Sequence, residues 1–135
     1  MGSSITLKAA DGHTLSAWRD GPDSASRGLV VVQEIFGVNQ HMRNVCAKFA
    51  AEGYAVVAPA LFDRVRPGIE LGYTPDDVAT GRELRGKVAE AGTMADIDAA
   101  AAARVAAMPP PYQPQAALKW CVRVAPSQAT VPPQQ

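Results

Sequence analysis

The stretch Gly28-Leu29-Val30-Val31-Val32-Gln33-Glu34-Ile35-Phe36-Gly37-Val38-Asn39 decides the fold. Its first five residues form a short apolar run rich in β-branched side chains. Such a run suits a strand covered on both faces, as in a parallel sheet flanked by helices. An ordinary connection would continue with polar turn residues. Here a carboxylate (Glu34), an aliphatic residue (Ile35), a large aromatic (Phe36) and a glycine follow directly. Open α/β sheets build their chemistry at the C-terminal ends of strands, where these residues emerge.

Working outward, Asn39 offers a helix N-cap. Met42, Val45, Cys46, Phe49 and Ala50 recur at three- and four-residue spacing, which predicts an amphipathic helix over about Gln40 to Glu52. Gly53 supplies its C-cap. Tyr54 to Ala58, closed by Pro59, reads as the next buried strand. Strand, helix and strand make a β-α-β unit, whose crossover rule makes the two strands parallel. Upstream, Ile5, Leu7 and Ala9 alternate with polar residues, Asp11-Gly12 offers a tight turn, and Thr14, Leu15, Ala17 and Trp18 complete a hairpin. Downstream, Ala60 to Pro75 is a long connection broken at Pro67-Gly68 and Gly72. Asp76 and Asp77 open a second helix that runs to near Lys87 or Ala91. A third, Ala-rich helix opens at Thr93 or Asp96 and continues through Ala107. Leu118 to Val124 is a weak strand, interrupted by Lys119 and Arg123. The expected fold is α/β: helices on a mostly parallel sheet with an N-terminal hairpin.

The 135 residues suffice for one domain. Thirteen basic and thirteen acidic residues balance to zero, which argues against nucleic acid or an anionic membrane as the main partner. No run reaches the ~18 apolar residues of a membrane span, and the N-terminus has neither the charged nor the apolar region of a signal peptide. A cytoplasmic location is the simplest expectation. From Pro109 the chain turns Pro- and Gln-rich, so residues 119–135 are expected to be a disordered tail.

The Asp11-Gly12-His13 turn, the Val-rich strand into Gln33-Glu34-Ile35-Phe36-Gly37-Val38-Asn39, Arg43, Glu52-Gly53-Tyr54 with Val56, Val57 and Pro59, the Pro67-Gly68 connection and the Asp96 helix together resemble the dienelactone hydrolase (carboxymethylenebutenolidase) family. The resemblance spans roughly Ile5 to Met108, and the heptapeptide is its specific part. It implies the N-terminal portion, about residues 1–118, of an α/β-hydrolase domain without the C-terminal strands. It also implies a lactone- or ester-hydrolysing site with a Cys nucleophile and no cofactor. Glu34 then corresponds to the carboxylate that meets the nucleophilic thiol, able to take its proton. Ile35 corresponds to the residue whose backbone N–H forms half of an oxyanion hole. Phe36 would wall the substrate pocket. Arg82 and Arg85 are the candidates for binding a substrate carboxylate, and neither sits cleanly on the family pattern.

One element of the family is missing. Its Gly-x-Cys-x-Gly elbow needs small residues around the nucleophile, because the turn is strained. Here Cys121 lies between Trp120 and Val122 with no glycine nearby, so the nucleophile role does not pass to it. No triad Asp or His can be named. The abrupt change at about Leu118 suggests a truncated or frameshifted reading frame. Two functions remain open: a hydrolase of this family, inactive as this chain alone, or a non-enzymatic remnant or a subunit completed by a partner chain.

Each candidate has a plainer reading. Glu34 alone would be a solvated loop residue; the surrounding heptapeptide favours the site. Cys46, on the apolar face of a helix, reads as a packed core thiol. His13 reads as a surface hairpin residue and His41 as a solvated one, and nothing pairs them as metal ligands. Arg82 and Arg85 fit equally a solvated helix face paired with Glu83 or Asp77.

Overall fold

The β-branched run Arg27–Val32 forms strand β3, and Tyr54–Pro59 forms strand β4, paired with it in parallel. Between them helix α1, Gln40–Ala51, crosses over one face. The N-terminal hairpin consists of β1, Ser3–Lys8, and β2, Thr14–Asp20. A 3-10 turn at Leu61–Arg64 follows β4, then helices α2, Pro75–Lys87, and α3, Glu90–Ala106. The two residues of β5, Arg123–Val124, pair in parallel with Val31 and Val32 of β3. This computed structural model describes residues 2–106 together with Arg123 and Val124. The remainder of the expected strand and tail, Leu118–Val122 and Ala125 onward, lies outside the described residues, as do Cys121 and Ala107.

The strand order is β1-β2-β4-β3-β5. The parallel part is β4-β3-β5, and β2 joins it antiparallel, so the sheet is mixed. Alternation along the strands divides the core into two layers. Leu29, Val31, Val56 and Ala58 face α1, where they meet Met42 and Cys46. Val30 and Val57 face the opposite way, with Leu7, Leu15 and Ala17, onto Ala100 of α3. Alanines at the interface let α3 lie close to the sheet. A third cluster of Phe62, Leu84 and Val88, with Val65, Ile69 and Leu71 against it, seats α2 on the long connection. Among the described residues no helix is long and apolar enough to cross a membrane.

Two sequence expectations shift. The turn expected at Asp11-Gly12 is a wider loop between Lys8 and Thr14, closed by Ala9 N–H to the His13 carbonyl at 2.8 Å and by Gly12 N–H to the Ala9 carbonyl at 2.9 Å. Gly12 makes this possible with φ +90°. The third helix begins at Glu90 rather than at Thr93 or Asp96. Thr93 N–H already donates to the Ala89 carbonyl. Asp96 caps nothing. It is fully buried within the helix, and its carboxylate accepts from Arg64 Nε at 2.9 Å and Nη2 at 2.8 Å.

Arg64 also reaches the exposed Asp11, donating from Nη1 at 2.7 Å and from Nη2 at 3.1 Å. One guanidinium thus ties the hairpin loop, the 3-10 turn and α3 together. Gly92 gives it room, since a Cβ there would stand 2.9 Å from the Arg64 side chain. The arginine is held more firmly protonated than usual by the two carboxylates. The hydrogen bonds from Arg64, with that from His13 N–H, lower the Asp11 pKa to about 2.

Removing the guanidinium leaves the Asp96 carboxylate buried without a counter-charge. Arg64→Met should therefore cost about 3 kcal/mol in urea denaturation at pH 7. Asp11→Asn should cost far less, because its side of the pair is open to solvent. Its signature is in pH. With the folded pKa depressed, the Asp11 contact contributes above the ordinary carboxylate pKa and is lost as pH falls toward about 2. Asp11→Asn should flatten the acid limb of the stability curve between roughly pH 4 and pH 2.

Candidate active site

Beyond Val32 the chain leaves the sheet through Gln33, whose side chain acts as a brace. Its Oε1 accepts from Leu61 N–H at 2.8 Å, and its Nε2 donates to the Glu34 carbonyl at 3.2 Å. Glu34 to Gly37 then closes as a turn, with Gly37 N–H donating to the same carbonyl at 3.3 Å. Gly37 has φ +80°, and a Cβ there would stand 2.1 Å from the Ile69 carbonyl oxygen. Only glycine fits both conditions.

The turn is strapped from outside by residues 69–73. Leu71 N–H donates to the Phe36 carbonyl at 2.8 Å, and Gly37 bridges Glu70 in antiparallel fashion. Asn39 locks strap and helix together. Its Oδ1 accepts from Met42 N–H at 3.2 Å, capping α1, while its Nδ2 donates to the Leu71 carbonyl at 3.0 Å and to the Tyr73 hydroxyl at 3.3 Å. Arg43, one turn into α1, pairs with Glu70 and lies over the Trp18 ring. On the other side α2 presents Gly81, where a Cβ would come within 2.3 Å of the Ile35 carbonyl oxygen.

Glu34, Ile35 and Phe36 are therefore brought together, each half-buried, in one turn at the C-terminal end of β3. The Ile35 N–H has no acceptor among the described residues. The Phe36 ring meets Tyr73 edge-on, 4.5 Å between centroids, and His41 stands 6.3 Å beyond Tyr73. Arg82 and Arg85 lie exposed on α2, next to Gly81 and one turn further on. They do not pair with Glu83 or Asp77 as the sequence suggested. Asp77 is taken up by Thr74 in a capping box, and Glu83 accepts from Lys87 at 3.0 Å.

Cys46 stands apart from this turn. It is fully buried on the sheet-facing side of α1, and burial, reinforced by the charge of Asp20, raises its pKa to about 12. Such a thiol is not a nucleophile at neutral pH. Cys121 lies outside the described residues. Among the described residues no three His, Cys, Asp or Glu side chains cluster as a metal would require.

Sequence reasoning missed Tyr73, Gly81 and the second role of Asn39. Gly81 left a trace, since a glycine inside a helix costs ~1 kcal/mol against alanine and calls for a packing reason. Tyr73 left only its position beside Gly72 in the long connection.

A sequence model of the dienelactone hydrolase family matches residues 15–115. A protein of Synechocystis sp. provisionally named carboxymethylenebutenolidase is 45% identical over 71 residues, 53% of this chain and 29% of its own length. The carboxymethylenebutenolidase of Pseudomonas putida is 41% identical over 68 residues, 50% of this chain and 29% of its own. Among solved structures, a provisionally named dienelactone hydrolase from Klebsiella pneumoniae superposes with a TM-score of 0.57 at 31% identity, covering 76% of this chain and 44% of that one. The matched segment thus spans less than half the length of these relatives. The Glu34–Asn39 turn lies inside the matched residues 15–115, and the chain belongs to the dienelactone hydrolase family.

Proposed function

We propose that this chain supplies the carboxylate and oxyanion-donor side of a lactone- or ester-hydrolysing site of the dienelactone hydrolase type. One observation carries the reading: the Ile35 N–H beside Glu34, without an acceptor among the described residues, in a turn fixed from three sides at the end of β3. Glu34 takes the thiol proton, leaving the thiolate as the reactive species. The thiolate attacks the acyl carbon, and a backbone N–H aimed at the carbonyl oxygen stabilises the negative charge that grows there. The acyl C–O bond then breaks, the departing oxygen taking up the proton, and water hydrolyses the thioester to give the acid and restore the thiol. Phe36 borders the acyl pocket, and Arg82 or Arg85 receives a substrate carboxylate.

The nucleophile comes from elsewhere. The 135 residues contain no Gly-x-Cys-x-Gly, and Cys46 is sealed in the core. On this reading the nucleophile lies outside these 135 residues, and no turnover is expected from them alone.

Two measurements test this. The purified chain should show no ester turnover sensitive to iodoacetamide, and Cys46 should resist alkylation at pH 8 until the protein unfolds. Residues 1–106 grafted in place of the matching part of the Pseudomonas putida enzyme should give a chimera that opens dienelactone. Glu34→Ala in that chimera should lower kcat/KM by about 100-fold or more. A chimera indifferent to Glu34→Ala would overturn the assignment, and iodoacetamide-sensitive turnover by the chain alone would overturn that expectation.

A further inference from the structure

Arg43 and Trp18 each keep one nitrogen that nothing answers. Arg43 Nε and Trp18 Nε1 are buried, and neither has a hydrogen-bond partner among the described residues. Folded proteins rarely leave buried donors in this condition, because each gives up its water without gaining an acceptor. The two side chains belong together. The Arg43 guanidinium lies 5.0 Å from the centre of the Trp18 ring, and its Nη2 pairs with Glu70 on the strap. Both line one open pocket of about 190 Å³, between the β1–β2 hairpin, α1 and the connection after β4.

The strand register sets what else faces this pocket. Ser4 stands opposite Trp18 across the hairpin, and Ser16 lies two residues before Trp18, so all three share one face of the sheet. Asp63 enters from the 3-10 turn, where its Oδ2 accepts from Ser16 N–H at 2.8 Å. A carboxylate with one such bond can accept more, and the same holds for Glu70 beside Arg43.

This set of donors and acceptors fits one chemistry. An anion would answer the two nitrogens but would meet the charges of Asp63 and Glu70. A cation would suit the carboxylates and bring no acceptor. An apolar guest would leave both donors buried and unmet. A hydroxyl donates and accepts at once, so an uncharged guest with several hydroxyls answers nitrogens, serines and carboxylates together. The pocket has room for several waters, the scale of a single small ring.

We infer that this pocket binds an uncharged polyhydroxylated ring, a single sugar or a cyclitol, with Arg43 Nε and Trp18 Nε1 as donors and Asp63 and Glu70 as acceptors. None of Glu34, Ile35 and Phe36 lines it, so the inference stands without the acyl-site reading.

The test is a titration of the uniformly 15N-labelled 135-residue chain with D-glucose, D-galactose, D-mannose and myo-inositol, read at the Trp18 indole N–H and the Arg43 Nε–H. At least one of the four should move both signals along a saturable curve. 1,4-Dioxane, which accepts but cannot donate, and acetate, which is charged, should bind at least about tenfold more weakly. Arg43→Lys keeps the charge without the Nε donor and should weaken the best polyol about tenfold. Asp63→Asn keeps the shape, so it decides the matter if the lysine variant does not fold. It should weaken the polyol about threefold or more and bring acetate binding closer to it. No saturable shift at either nitrogen with any of the four, the result expected of ordered water alone, would overturn the site. So would acetate or dioxane binding as tightly as the best polyol, or an affinity unchanged in both variants.

Discussion

The closure of the Glu34–Gly37 turn against the Ile69 carbonyl is the constraint on which the site depends. A side chain at position 37 would be excluded twice, by φ +80° and by an oxygen 2.1 Å from its Cβ. With glycine there, the backbone of the strap can approach closely enough for Leu71 to bond Phe36 and for Glu70 to bridge Gly37. Asn39 can then serve two masters, capping α1 and holding the strap. The geometry of Glu34, Ile35 and Phe36 follows from these backbone contacts, not from contacts of their own side chains. On the proposed reading, a turn built this way is set before any substrate arrives, which is what electrostatic stabilisation of a transition state requires.

The rest of the sheet keeps the turn in place and stays chemically quiet. β3 and β4 are covered on both faces, so everything reactive must leave at the strand ends. Cys46 illustrates the cost of staying inside: the same burial that packs it between α1 and the sheet raises its pKa to about 12. Arg64 fastens the far side by holding the buried Asp96 and the exposed Asp11 at once. This pairing serves the fold, since neither carboxylate touches the Glu34 turn.

Local and short-range patterns were legible in the sequence. The apolar run of β3, the α1 face with its Asn39 cap and Gly53 end, and the β-α-β order follow from periodicity and cap chemistry, and the structure has them within a residue or two. The heptapeptide pointed to Glu34, Ile35 and Phe36, which do share one turn. Much of what was not legible depends on residues about thirty or more positions apart. Asp96 looked like a helix opener because Asp favours N-caps; only the fold brings Arg64 to it. Asp77 looked free to pair with an arginine, but Thr74 lies three residues before it and closes a capping box. Tyr73 carried no periodic signal at all. Its place is fixed by Asn39, 34 residues earlier.

The most direct measurement is backbone amide hydrogen exchange of the 135-residue chain, read by NMR at Ile35 against its neighbours. A turn tied down on both sides but open at one donor predicts that Leu71 and Met42 are protected, by their bonds to the Phe36 carbonyl and to Asn39 Oδ1. Ile35 should exchange at least about tenfold faster than either. Protection of Ile35 equal to that of Val30 and Val31 inside β3 would mean that its N–H is already satisfied, and would contradict an oxyanion donor at this position.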